Sequence, residues 1–284
     1  MNSLGFNKKE NDTKVIVAMS GGVDSSVAAV KLKMEGYDVT GVTLRLYNQP
    51  NSSKSKSCCA GIDIDDAKKV AEQYDFPHKI FDYQDKFFNG VISNFVDSYA
   101  NGETPVPCIQ CNQTVKFSDL LEESKNLNAD ALVTGHYAIR KGGLKESKLF
   151  KAKDKTKDQS YFLFATLQDQ LDYVRFPLGN YLKSEIRQMA DDYNLLVSDK
   201  PDSQDICFVT SDSYRDLINT IQPDINKEGN IFDIHGNKIG VHKGIANYTV
   251  GQRKGVGVGG QEKPLYVKEI NKNQNYIVLA TYES

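Results

Sequence analysis

Val15-Ile16-Val17-Ala18-Met19 is an unbroken apolar run of strand length, and it predicts a strand buried on both faces. A Gly/Ser turn follows. Val27 to Leu32 then has helical character that ends near Gly36. Asp38 to Tyr47 alternates and predicts a second strand, rich in Val, Thr and Leu. Asn48 to Ser57 reads as a polar loop. Ile62 to Tyr74 predicts a helix with acidic residues in its first turn. His78 to Phe81 predicts a third strand and Asp85 to Tyr99 another helix. A helix over Thr114 to Lys125 leads to a further strand, Ala129 to Thr134. Strands alternating with helices make βαβ units, so the fold class expected is α/β with a mostly parallel sheet. The sequence has no internal repeat.

From about Ser211 the texture changes. Gly229-Asn230, His235-Gly236-Asn237-Lys238 and the glycines 251, 255, 257, 259 and 260 punctuate short β-like runs such as Ile231 to Ile234 and Tyr276 to Leu279. A small β-rich second domain is expected there. The expected organisation is a flexible tail over residues 1–13, an α/β domain over 14–210 and the β-rich domain over 211–284. The boundary falls near Val209 to Ser213.

Composition narrows the function classes. The chain has 284 residues, 39% apolar and 25% charged, enough for a proper core. No run of 18 apolar residues spans a membrane, and Met1 to Thr13 lacks an apolar signal core. A cytoplasmic monomer with no membrane partner is expected. Five cysteines in a reducing compartment point to catalytic or metal-binding thiols rather than a disulfide framework. The net charge of −2 does not mark the whole chain as a nucleic-acid binder. Between Arg140 and Lys157, however, eight Lys or Arg stand against Glu146 and Asp154. That stretch is either a solvated loop or a contact for a phosphate backbone.

Ser20-Gly21-Gly22-Val23-Asp24-Ser25-Ser26 sits between the first strand and the first helix. A glycine-rich turn lets backbone N–H groups approach phosphate oxygens, and the helix N-terminus adds partial positive charge. The loop lacks the lysine of a Walker A loop and the spacing of a dinucleotide fold. It resembles the S-G-G-x-D-S pyrophosphate loop of the N-type ATP pyrophosphatases. That resemblance implies ATP cleaved between the α and β phosphates, AMP left on a substrate oxygen, and Mg²⁺ neutralising the phosphates. It implies that Ala18, Met19, Ser20, Gly21, Gly22, Val23, Asp24, Ser25, Leu44 and Gly135 hold the nucleotide.

Further motifs choose within that superfamily. Pro107-Cys108-Ile109-Gln110-Cys111-Asn112 precedes the helix expected from Thr114, and Ser203-Gln204-Asp205-Ile206-Cys207-Phe208 follows much later. Thr134-Gly135-His136-Tyr137-Ala138, Lys157-Asp158-Gln159-Ser160-Tyr161-Phe162-Leu163 and Tyr248-Thr249-Val250-Gly251-Gln252-Arg253-Lys254-Gly255 complete the set. From Val15 to Ala280 the chain resembles the tRNA-specific 2-thiouridylases, the MnmA family. The resemblance implies thiolation of the wobble uridine of Lys, Glu and Gln tRNAs. Cys207 would carry a persulfide and Cys111 would act as nucleophile, with a Cys111–Cys207 disulfide as by-product. A cysteine desulfurase or sulfur-relay protein would supply the sulfur. His136, Lys157, Asp158 and Gln159 would contact tRNA, and Val106, Pro107 and Cys108 would lie at the target base.

Two departures from the family pattern stand out. Cys108 replaces an Asp that the family often carries, giving C-x-x-C plus a distant third cysteine. Cys108, Cys111 and Cys207 could therefore hold a [4Fe–4S] cluster with one open iron, as in related tRNA thiolases. The sequence runs to Ser284, just after the β-rich domain, so the family's usual C-terminal β-barrel is expected to be absent. Cys58 and Cys59 are expected to be structural or incidental. His78, His235 and His242 have no partner spacing and receive no role. Gly255 to Gly260 reads as a loop of the β-rich domain. The rival readings are an ATP-dependent amidating ligase, which needs neither Cys111 nor Cys207, and a non-catalytic RNA-binding remnant.

Overall fold

The structure is a computed structural model and describes residues 1–47, 61–202, 206–209, 213–259 and 263–282. The polar loop expected at Asn48 to Ser57, the Cys58–Cys59 pair, Ser203 to Asp205, residues 210–212 of the expected boundary, Gly260 and the last two residues lie outside that set. The chain divides into two compact units. One comprises Met1–Gly90 and Cys108–Phe208, the other Val91–Pro107 and Val209–Ser284.

The first unit is built on five parallel strands. They are β1 (Lys14–Ala18), β2 (Asp38–Arg45), β3 (His78–Asp82), β4 (Ala131–Thr134) and the two-residue β7 (Val174–Arg175), in the order β3-β2-β1-β4-β7. Val15, Ile16 and Val17 are fully buried, as a central strand requires. Each such side chain contributes on the order of 1.5–3 kcal/mol. β2 does not alternate. Val39 to Leu44 are all buried, because the helices Val23–Met34 and Gly61–Gln73 pack on β2 while β1 and β3 pair with its edges, and its threonines and glycine pass for outward positions only in the one-dimensional pattern. Thr43 is satisfied inside, its Oγ1 donating to the Met19 carbonyl at 2.8 Å.

α1 (Val23–Met34) connects β1 to β2, and α2 (Gly61–Gln73) leads to β3. Asp85 to Tyr99 is helical but divided, with a π turn over Phe88–Ile92 between Gln84–Phe87 and Ser93–Ala100. The helix expected from Thr114 begins earlier. Pro107–Cys111 is α-helical, Asn112–Asp119 is π-helical and Leu120–Asn126 is α-helical again. The proline at the start explains the early boundary, since its ring pre-sets a helical φ and its missing N–H is not needed there. Cys108 and Cys111 are therefore inside the helical run, not ahead of it.

Residues 1–13, expected as a loose tail, are packed. Leu4 and Phe6 are buried, Arg175 Nε donates to the Leu4 carbonyl at 2.8 Å, and its guanidinium lies over the Phe6 ring. The basic stretch after Arg140 is not a plain loop. β5 (Ala138–Lys141) and β6 (Lys148–Lys151) form an antiparallel hairpin, followed by a 3₁₀ turn at Ser160–Leu163. The helix Lys183–Asp192 packs on α1. Among the described residues no helix is long and apolar enough to cross a membrane.

The second unit is strand-rich, as its texture predicts. A mixed four-stranded sheet joins β8 (Gly229–Phe232), β9 (Lys238–His242), β10 (Tyr266–Asn271) and β11 (Tyr276–Ala280) in the order β10-β11-β8-β9. Ile231, Val267, Ile277 and Leu279 form its core. Its sequence contributions are discontinuous. Tyr99 from Ser93–Ala100 stacks on Tyr214 from a helix at Tyr214–Ile221, with ring centroids 4.5 Å apart.

Candidate active site

The order of the parallel strands reverses between β1 and β4, so their carboxyl ends open the crevice where α/β sheets bind ligands. β1 runs into Ser20-Gly21-Gly22, and α1 starts at Val23. Gly21 has φ +71°, and a Cβ there would lie 2.1 Å from the Asp63 carbonyl oxygen, so only glycine fits. Gly22 is the N-cap and offers no side chain to the first turn. The leading N–H groups of α1 are thus presented to an anion. Ser25 ties the turn together: its Oγ accepts the Ser20 N–H at 3.1 Å and donates to the Gly22 carbonyl at 3.2 Å. Gly135, just beyond β4, completes the frame. A Cβ on it would lie 2.9 Å from the Ser25 nitrogen, so β4 can approach α1 this closely only through glycine.

Four carboxylates and four cations surround this loop. Asp24 accepts from Lys183 Nζ at 2.7 and 2.8 Å and from the Tyr137 hydroxyl at 2.7 Å. Lys183 also reaches Asp202 at 2.9 Å, and Lys157 and Arg187 each reach Asp202 at 2.7 Å. Burial works to raise the Asp202 carboxyl, but hydrogen bonds from Lys157 and Lys183, with their charges, pull it down to about 2. Burial and the Asp24 charge raise the Tyr137 hydroxyl far above its usual range. Lys200 donates to the Gly21 carbonyl at 2.9 Å and to Asp63 and Asp66 at 2.5 and 2.8 Å. Burial opposes its charge, yet the two carboxylates hold its ammonium above the ordinary value. In a trans peptide the C=O and the next N–H point in opposite directions. By holding the Gly21 carbonyl, Lys200 therefore aims the Gly22 N–H away from itself, toward the loop's open side.

The other expected residues fall around this loop with distinct duties. Ala18 ends β1, and the Met19 N–H donates to the Val42 carbonyl at 2.8 Å. Leu44 is buried near the carboxyl end of β2. His136 follows Gly135, its Nδ1 paired with Thr134 Oγ1 at 2.9 Å and its ring edge-on to Phe117 and Phe176. Burial, with the Lys116 charge, pushes its pKa down to about 3, so it is neutral at pH 7. Asp158 and Gln159 spend their side chains inside the fold. Asp158 accepts from the Ala152 N–H and the Ser160 hydroxyl, both at 2.8 Å, and Gln159 Oε1 accepts from the Tyr137 N–H at 2.9 Å. Lys157 alone of that trio points its charge at the Asp24–Lys183–Asp202 network.

Cys108, Cys111 and Cys207 are all thiols. Cys108 is exposed and follows the exposed Val106 and the buried Pro107. Cys111, one turn later, is buried. Burial raises its thiol pKa, with Lys116 opposing and Cys108 adding to the rise. The neighbouring Asn112 donates Nδ2 to the Phe162 carbonyl at 3.1 Å, while its buried Oδ1 has no partner. Cys207 is half-buried, and its carbonyl accepts the Tyr47 hydroxyl at 2.7 Å, just past the end of β2. Among the described residues no three His, Cys, Asp or Glu are placed to share a metal ion, so these three thiols do not form a cluster's ligand set in this structure.

Comparison with known proteins now decides the family. The family model described as tRNA methyl transferase HUP domain matches residues 13–211, and the tRNA methyl transferase PRC-barrel domain matches 217–281. A tRNA-specific 2-thiouridylase MnmA of Dinoroseobacter shibae is 51% identical over 100% of this chain and 74% of its own length. The enzyme of the same name from Jannaschia sp. is 51% identical over 100% of this chain and 75% of its own. The chain belongs to the MnmA family. Within it, the loop, the β4 end, the two cysteine segments and Lys157 to Leu163 carry motifs of the resemblance in the first unit, and Tyr248 to Gly255 carries one in the second. Sequence reasoning assigned no role to Lys183, Lys200 and Tyr137, which hold the loop's carboxylates and its Gly21 peptide, or to Asp202, which accepts from Lys183. Lys183 did carry a signal, since a lysine at the first position of a helix opposes the macrodipole and needs another reason to be there. Lys200 carried none.

Proposed function

We propose that this chain is an ATP-dependent sulfurtransferase that converts the wobble uridine of Lys, Glu and Gln tRNAs to 2-thiouridine. The observation that carries the reading is half identity, over the whole chain, to proteins named tRNA-specific 2-thiouridylase. The site supports it: a loop shaped for phosphate and three thiols belong to one compact unit. The C2 oxygen of uracil is a poor leaving group. Its attack on the α phosphate of ATP expels pyrophosphate and converts it to AMP, which leaves readily. The backbone N–H groups of Gly22 and the first turn of α1 would bind the phosphates, with Ser20, Ser25, Leu44 and Gly135 closing the nucleotide site. The loop's carboxylates and cations already balance, so the triphosphate arrives with its charge unmatched. Mg²⁺ would neutralise it, with Asp24 as the nearest carboxylate of the loop, since Mg²⁺ is bound through one or two carboxylates plus phosphates.

The thiol side follows the chemistry of persulfides. A donor protein, a cysteine desulfurase or relay protein, would load Cys207 as Cys–S–SH. The terminal sulfur adds to C2 and AMP leaves, joining Cys207 to the base through a disulfide. The Cys111 thiolate attacks Cys207 Sγ, the S–S bond breaks, and the electron pair stays on the base as 2-thiouridine. Cys111 and Cys207 end as a disulfide, which an external dithiol reduces. His136, Lys157 and the segment Val106-Pro107-Cys108 would face the RNA. The test is Cys207→Ser with unmodified tRNA, ATP and a sulfur donor. Thiolation disappears while ATP is still turned over to AMP. Undiminished thiolation in that variant sinks the proposal.

A further inference from the structure

The first unit exposes aromatic rings beside its basic hairpin. Tyr161 and Phe164, on and just after the 3₁₀ turn, are 62% and 67% exposed, with ring centroids 6.1 Å apart. Between them Leu163 is 1% exposed and anchors the turn, so the two rings are surplus to the core. β6 packs beside this turn. In the hairpin, Ile139 faces Phe150 and Lys141 faces Lys148. The opposite face is committed to the fold through Arg140, which donates to the Leu171 and Asp172 carbonyls. That leaves Lys141, Lys148 and a 43% exposed Phe150 on one outward face, with Lys141 Nζ 5.1 Å above the Phe150 ring. Among the described residues Lys141, Lys145, Lys148 and Lys155 make no ion pair.

Flat apolar faces next to unpaired ammonium groups fit a single-stranded nucleic acid, whose bases stack while its phosphates take the charge. A base-paired helix hides its base faces and cannot use such rings. We infer that Tyr161 and Phe164 form a stacking platform for an unpaired base of the RNA substrate, whose phosphates lie on the lysines of the β5–β6 hairpin. This rests on the tRNA reading above and deepens it, because a wobble uridine lies in a single-stranded loop.

The experiment titrates the full chain into an anticodon stem-loop carrying 2-aminopurine at an unpaired position, and into a fully paired duplex of the same length. Tyr161→Ala with Phe164→Ala should weaken stem-loop binding roughly 10-fold or more. It should leave duplex binding and the dependence on salt unchanged. Tyr161→Leu keeps apolar area without a π face and should lose part of the fluorescence quench, while Tyr161→Phe should keep it. Lys141→Ala with Lys148→Ala should instead lower the salt slope by about 1–2. Equal stem-loop binding by wild type and the double alanine variant overturns the inference, as does an equal loss on the duplex. Because both rings are exposed, the urea midpoint should not move, and Tyr161→Leu decides the matter if the double variant is unstable. If the wild-type chain binds no tRNA, the 2-thiouridylase reading falls with it. If it binds and thiolates normally while the variants are unchanged, only this inference falls.

Discussion

The phosphate loop and the thiols belong to the same unit but are built to different standards. Around the loop each charge is answered: Asp24 by Lys183, Asp63 and Asp66 by Lys200, Asp202 by Lys157, Lys183 and Arg187. The Gly21 carbonyl is held by Lys200 and the Ser20 N–H by Ser25. The three thiols instead differ from one another in setting. Cys108 is exposed, Cys111 is buried with a raised pKa, and Cys207 sits on a separate segment tied through its carbonyl to Tyr47. Phosphate binding needs fixed dipoles in place before the ligand arrives. A thiol kept protonated in an apolar site is protected from chance oxidation, because the thiolate is the reactive form. The contrast teaches that the loop's charges and dipoles are fixed in advance by the fold, whereas the thiols are set apart by burial: one is exposed, one buried and one half-buried.

The largest expected effect separates the two regions outright. Cys111→Ser should lower thiolation by about 10³-fold or more while ATP binding is kept, read as thionucleoside per tRNA by mass spectrometry. Next, Gly21→Ala should strike the loop alone. The left-handed φ costs about 1–2 kcal/mol for a residue with a Cβ, and the contact with Asp63 adds to it. A rise of at least about 10-fold in KM for ATP is expected, with Cys111 and Cys207 still alkylated at wild-type rates. Lys200→Met should raise KM for ATP by roughly 3- to 10-fold, since the Gly21 peptide loses its anchor and two carboxylates lose their partner. Lys200→Arg should recover part of that loss, which a purely bulk-stability role would not explain.

The smallest effects are on pH dependence. Burial raises the Cys111 thiol, so sulfur transfer should climb through a higher pH range than an exposed thiol would give, while AMP formation stays flat there. Asp202 has a carboxyl pulled down to about 2, so its contribution to stability is present above about pH 4 and is lost as the pH falls toward 2. With its partial exposure discounted, that contribution is about 1 kcal/mol. Asp202→Asn should flatten the acid side of the thermal-midpoint curve, and an unchanged curve would show that the Asp202 network adds nothing to folding.

Local signals account for most of what could be read in advance. The apolar run at β1, the glycine turn and the helix after it lie within twenty residues, and the physics of each is local. The cysteine positions and the change of texture near residue 211 are likewise visible in one dimension. β2 misled, because threonine and glycine mimic an outward face when the strand is in fact enclosed. The first residues misled for the same reason: Leu4 and Phe6 are isolated in a polar stretch, and only Arg175, far along the chain, shows what they cover. The basic stretch was ambiguous until the Ile139–Phe150 and Lys141–Lys148 pairs sorted its two faces.

By itself the sequence determined the α/β class, the phosphate loop, the family and which cysteines are present, because these rest on neighbours in the chain and on motif spacing. Only the tertiary structure decided that Lys200 grips Gly21 from 179 residues away, that Lys183 neutralises Asp24 from 159, and that Cys111 is buried while Cys108 is not. Charge pairing and desolvation depend on distance in space, and no local pattern records which distant residues the fold brings together.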